Sequence, residues 1–129
     1  TSGVTHATPA SYATHVPRRN MYSDIADQYL TSGVDVILGG GWEDFVPSGK
    51  DGSRRSDDRD LTVEFESNGY DVLYNKADLA SAESDKLLGI FSQGDLVHDE
   101  SEPTLAEMTE KALGILNNNE NEKYNKWLE

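Results

Sequence analysis

Short apolar runs alternate with longer stretches of helical period along the chain, the order expected of an α/β protein. Ile25, Ala26, Tyr29 and Leu30 recur at helical spacing within Ser23 to Leu30. Val34-Asp35-Val36-Ile37-Leu38 follows as a β-branched run stopped by Gly39-Gly40-Gly41. This pattern predicts a helix, a turn at Gly33 and a buried strand. Leu61 and Phe65 lie four apart behind Asp57, Asp58 and Asp60, acids that suit the positive end of a helix dipole, and Asn68-Gly69 stops that helix. Asp71 to Tyr74 reads as a second strand, Lys76 to Ala82 as a short helix, and Leu87 to Phe91 as a third strand closed by Gln93-Gly94. Further on, Leu105, Met108, Thr109, Ala112, Ile115 and Leu116 mark one apolar stripe. Thr104 with Glu107 three residues later makes a capping-box pattern at its start. The helix is predicted to end in Asn117-Asn118-Asn119, before a polar tail whose large apolar groups are Tyr124, Trp127 and Leu128.

Four stretches emerge from this reading. Residues 1–46 hold a cluster of histidines, threonines and arginines and the glycine-rich strand exit. Residues 47–60, with Pro, Gly, Ser, Lys, Arg and Asp and no large apolar side chain, read as an exposed loop with nothing to bury. Residues 61–118 alternate helices and strands, and 119–129 form the tail.

Length and charge narrow the picture. A chain of 129 residues is the size of one domain or of a piece of a larger one. It opens Thr1-Ser2-Gly3-Val4 without methionine, which reads as an excised, processed or partial start. The formal net charge of −13 repels phosphate backbones and anionic lipid, so nucleic acid and membrane surface are poor partners. No stretch approaches the roughly 20 apolar residues of a membrane span. Without cysteine there are no disulfides, thiolate metal sites or thiol nucleophiles. The acidity is uneven: residues 1–50 hold five acids and three bases, whereas 51–129 hold nineteen and eight. Arg18 and Arg19 therefore sit in the least acidic part.

The candidate chemistry is concentrated in Thr5-His6-Ala7-Thr8-Pro9-Ala10, with His15, Arg18 and Arg19 following. A threonine hydroxyl such as that of Thr8 is a neutral oxygen ligand for a hard cation, His6 can orient a metal-bound water, and an arginine offers a fork of donors to an anion. The plainer reading is a strand end and turn in which Thr8 caps before Pro9 and the charged groups are solvated. The triple glycine lacks both Gly-Lys-Ser/Thr and a GxGxxG opening a helix, so a tight strand exit explains it better than a phosphate loop. Asp57-Asp58 and Asp99-Glu100 lack calcium-loop spacing, and His98 has no zinc-ligand spacing to the other histidines.

Val4-Thr5-His6-Ala7-Thr8-Pro9-Ala10, Tyr12-Ala13, His15-Val16, Arg19-Asn20 and Tyr22-Ser23-Asp24 together resemble the alkaline phosphatase family. So do Asp35 to Gly41, Leu88-Gly89-Ile90-Phe91 and Pro103 to Leu113, in the family's order and over about residues 1 to 116. The resemblance implies an α/β fold, a three-layer α/β/α sandwich with a mostly parallel sheet, here incomplete. It implies hydrolysis of phosphate monoesters to inorganic phosphate through a phosphoserine, with zinc and magnesium as cofactors. Matched without a gap, Thr8 falls on the magnesium-ligand hydroxyl and Arg19 on the phosphate-binding arginine, with Arg18 one residue away. His6 falls on a position beside the metal that is aspartate in some members and histidine in others. A homodimeric parent enzyme, periplasmic or extracellular, is also implied.

The departures are equally specific. The nucleophile's Asp-Ser-Ala block and the Val-Glu-Gly strand end, whose glutamate is a magnesium ligand, do not occur in the sequence. Neither do the blocks carrying the zinc ligands. Glu129 falls near the position of that glutamate, but the polar run before it does not resemble the strand, and a Leu-Glu cloning remnant would account for it equally. The expected identity is thus a segment of the enzyme, inactive alone. Two other readings remain open at this point: a noncatalytic α/β module holding a small anion on Arg18 and Arg19, and an acidic structural fragment.

Overall fold

In the computed structural model, residues 2–128 are described, apart from the side chains of Asn121, Tyr124, Asn125, Trp127 and Leu128. Three strands, β1 (Val36–Gly39), β2 (Asp71–Leu73) and β3 (Leu87–Ile90), form a sheet in the order β1-β3-β2. Both pairings are parallel, with Ile37 and Val72 level with Leu88 on either side. Because chain order and sheet order differ, the path crosses from β1 to the far edge and then turns back to the centre. Right-handed crossovers in opposite directions must put their helices on opposite faces. Accordingly α3 (Leu61–Ser67), between β1 and β2, lies on one face, and α4 (Lys76–Ser81), between β2 and β3, on the other.

Side-chain alternation along the strands divides the core in the same way. Ile37, Leu88 and Ile90 pack with Phe45, Leu61, Phe65, Tyr70 and the buried Ile25, Ala26 and Tyr29 of α2 (Tyr22–Thr31). Leu87 joins Leu73, Leu79, Phe91, Leu96 and Met108 of α5 (Leu105–Leu128) on the opposite side. Phe65 stands between Phe45 and Tyr70, with ring centroids 5.9 and 4.9 Å away, the latter edge to face. A small parallel sheet between helical layers is therefore the architecture. The predicted helix over Ser23–Leu30 and the three strands correspond to observed elements, shifted at their ends by one or two residues.

Three expectations are corrected. The segment after His6 is not a strand end and turn: a short helix, α1 (Ala7–Ala10), starts there. Four residues are too few to leave a periodic signature. The last helix does not end at Asn117-Asn118-Asn119 but runs to Leu128. Asparagine lowers helix propensity by only tenths of a kcal/mol, about 0.7 at most, and Asn119 reaches out to the Asp35 carboxylate at 3.3 Å and the Asp85 carbonyl at 3.1 Å. The capping box holds: the Thr104 amide and hydroxyl donate to Glu107, and the Glu107 amide donates back to Thr104 Oγ1. Of its apolar stripe Met108 is buried and Ile115 half-buried, while Leu105 and Leu116 stay exposed. Within the loop, Arg55 is buried, contrary to a stretch with nothing to bury. Its guanidinium pairs with Asp57 at 2.7 Å and Asp27 at 3.1 Å, and donates to the Asp44 carbonyl, so the charge is compensated where it is removed from water. No described helix is long and apolar enough to cross a membrane.

Candidate functional site

The carboxyl end of β1 sets the position of the histidine-threonine segment. Gly3 pairs in parallel with Gly40, and the Val4 amide donates to the Gly40 carbonyl at 2.9 Å, so residues 3–5 run alongside the end of β1 and deliver α1 to that edge of the sheet. Ligands of open parallel sheets gather at this edge. The close approach explains the glycines. A Cβ on Gly40 would stand 2.0 Å from the Gly94 carbonyl oxygen, and Gly41 has φ +96°. The triple glycine is thus a strand exit crowded by backbone.

Three further contacts fix residues 3–5. The Gly3 amide donates to Asp95 Oδ1 at 2.8 Å. The buried Tyr29 hydroxyl donates to the Val4 carbonyl at 2.9 Å, and burial pushes its pKa up to about 12, so the donor keeps its proton in alkaline solution. Thr5, itself buried, donates its hydroxyl to Asp44 Oδ2 at 2.5 Å. Asp44 has no exposure to solvent and also accepts from Arg54 Nε at 2.8 Å and Nη2 at 2.7 Å. Hydrogen bonding to Asp44 raises the Arg54 pKa further and keeps that guanidinium charged.

His6 occupies the N-cap position of α1 with extended backbone (ψ 154°), and its side chain makes no capping hydrogen bond. Thr8 is exposed on the helix, its carbonyl accepting from the Ser11 hydroxyl at 2.8 Å. Its own hydroxyl has no hydrogen-bond partner among the described residues, so it does not cap, and the oxygen is available to a ligand. Arg19 is exposed and lines a groove of about 580 Å³ with Ala7, Ala10, Ser11, Thr14 and His15. Arg18 is exposed too, but is not part of that lining. Arg19 thereby shares a groove with the wall of α1, whereas His6 and Thr8 lie outside the lining. The turn between them is held by Gln28 of α2, which accepts from the His15 amide at 2.6 Å and donates to its carbonyl at 3.0 Å.

As a metal centre the segment is partial. Thr8 offers one hard oxygen, whereas magnesium takes six, several of them from water. Among the described residues no three His, Asp or Glu side chains come together to hold a metal ion. Glu129, the residue near the expected magnesium-ligand position, lies outside the described residues. Sequence reasoning missed Asp44, Arg54 and Gln28. A signal existed for Asp44, an acid set between Trp42 and Phe45-Val46, where an apolar run would bury it.

Known proteins resemble this chain in sequence and in fold. Residues 1–124 match the family profile described as alkaline phosphatase. An alkaline phosphatase of Schizosaccharomyces pombe is 37% identical over 98% of this chain and 26% of its own length. The crystal structure of Thermus thermophilus alkaline phosphatase superposes with TM-score 0.82 and 38% identity, covering 90% of this chain and 25% of that one. A mutant of the TAB5 alkaline phosphatase, described with Mg bound in the M3 site, matches with TM-score 0.70 and 25% identity, over 90% of this chain and 33% of that one. The chain spans about a quarter of the length of the first two.

Proposed function

The chain belongs to the alkaline phosphatase family, and from that premise we propose that it is a segment of a metal-dependent phosphomonoesterase, carrying part of its phosphate and magnesium sites. The observation that supports this most is the joint placement of Arg19 and the α1 helix on one groove, with Thr8 and His6 at the carboxyl edge of the sheet. Arg19 binds the nonbridging oxygens of a phosphoryl group through its planar fork, which meets two oxygens at once. Thr8 would offer a neutral oxygen to a bound magnesium, and His6 would stand beside it as a hydrogen-bonding ring nitrogen. Bound magnesium and zinc would supply Lewis-acid charge to the reaction. The serine nucleophile that would become phosphoserine, and the zinc ligands, belong to parts of the enzyme outside this chain.

Small phosphate monoesters are the substrates and inorganic phosphate the product under this reading. Family resemblance further supports a homodimeric parent enzyme acting in the periplasm or outside the cell. The first test is an assay of the 129-residue chain with a chromogenic phosphomonoester, zinc and magnesium. No turnover above the protein-free blank is expected from the chain alone. Sustained turnover proportional to its concentration would contradict the assignment of the nucleophile and zinc ligands to other parts.

A further inference from the structure

Residues 5–22 carry every group assigned above to phosphate or metal; inside that segment Ala10 is buried and Gln28 of α2 holds His15. Its helix α1 has four residues, and Arg18, Arg19 and Asn20 are all exposed. Beyond these contacts, one attachment at each end of the segment converges on the same pair of side chains. At Thr5 the side-chain hydroxyl is bound by the fully buried Asp44. At Tyr22, the first residue of α2, the ring is covered by the Arg54 guanidinium, whose central carbon stands 3.8 Å from the ring centroid. That guanidinium is also the one bound twice by Asp44, and its Nη1 lies 3.1 Å from Glu43. One planar side chain therefore joins both ends of the segment through its edge and its face.

We propose that Asp44 and Arg54 are positioning residues that clamp the segment from Thr5 to Tyr22 and so hold Arg19 and Thr8 ready for the phosphoryl group and its metal. The inference rests on the phosphate reading of Arg19 given above. Fixing both ends of a binding segment before the ligand arrives lowers the ordering that the ligand must otherwise bring about. Lysine at position 54 would keep the charge but could not chelate a carboxylate with two parallel bonds while lying flat on a ring. Aspartate at 44 is equally specific, because its second oxygen takes the Thr5 hydroxyl while both oxygens take the arginine.

The test compares the full-length enzyme carrying this segment with its Arg54→Ala, Arg54→Lys and Tyr22→Leu variants, by amide hydrogen exchange and by titration with inorganic phosphate at fixed metal concentration, followed at the Arg19 Nε resonance. The amides of Ala10, Ser11 and Ile25, each bonded at one end of the segment, report on the clamp, and the Phe91 amide, bonded to the Gly39 carbonyl, reports on the sheet. In Arg54→Ala, exchange at the first three should accelerate roughly tenfold or more while Phe91 is unchanged. Phosphate should bind roughly tenfold more weakly, with Arg54→Lys recovering part of the loss. Tyr22→Leu, which leaves the Asp44 pair intact, should loosen Ile25 alone and still weaken phosphate; it decides the matter if Arg54→Ala does not fold. Faster exchange with an unchanged phosphate constant would reduce the pair to a structural brace and overturn the proposal. Unchanged exchange and binding in variants of a chain whose Arg19 responds to phosphate would overturn the clamp and leave the phosphate reading standing. A wild-type Arg19 indifferent to phosphate would overturn that reading, and the positioning role with it.

Discussion

A carboxylate removed from water is costly unless its lone pairs are occupied, and Asp44 meets that condition with one hydroxyl and a doubly bonded arginine. Gly40 is the opposite kind of constraint, a position where any side chain is excluded. Because its Cβ would meet backbone at Gly94 and the Ser92 hydroxyl, neither a rotamer change nor a small side-chain shift relieves Gly40→Ala. That variant should lose about 3 kcal/mol in urea unfolding, the upper part of the range for overpacking. A loss below ~0.5 kcal/mol would mean that the strand exit is looser than described. At this scale the sequence was only partly readable. Thr8, His6 and Arg19 stood out as candidates because their chemistry is local and their block resembles a known one. Asp44 with Arg54, and Arg55 with Asp27, could not, since each partner lies far along the chain or in a stretch that composition alone marks as exposed.

Among the elements, α5 depends most on its first turn. Glu107 is held by Lys76 at 2.7 Å and by the Thr104 amide and hydroxyl, and Lys76, first, then the Thr104 bonds bring its pKa down to about 2 from an ordinary 4.5. A depressed carboxylate stabilises the folded form above its unfolded pKa, and the effect is lost as pH falls through the folded one. Protection of the α5 first-turn amides should therefore decline between about pH 4.5 and 2, and Glu107→Gln should remove that dependence. A pH-independent first turn in the wild type would contradict the capping account. This cap was legible from Thr104 and Glu107 alone, because a capping box is a local pattern. The far end of α5 was not, because its continuation past three asparagines is supported by contacts of Asn119 to Asp35 and Asp85 on another part of the fold. The strands were legible for the reason the cap was: short β-branched or apolar runs bounded by glycine and asparagine carry their own signal.

For the whole molecule, a net charge of −13 first argues against any phosphate ligand. Its distribution removes the objection, since Arg19 lies in the first fifty residues, where five acids face three bases, and in a groove whose lining holds no acid. Arg54, Arg55 and Arg59 belong to ion-paired networks that brace the loop against α2 and α3, leaving Arg18 and Arg19 as exposed bases beside the groove segment. The most direct test of the central claim is the inorganic phosphate dissociation constant of the full-length enzyme carrying this segment, measured for Arg19→Ala and Arg18→Ala at fixed metal concentration. Arg19→Ala should weaken phosphate roughly ten- to a hundredfold, the loss of charged hydrogen bonds of about 1.5–3 kcal/mol, and Arg18→Ala less than about twofold. Equal effects of the two substitutions, or none from Arg19→Ala, would contradict the assignment of the phosphate site.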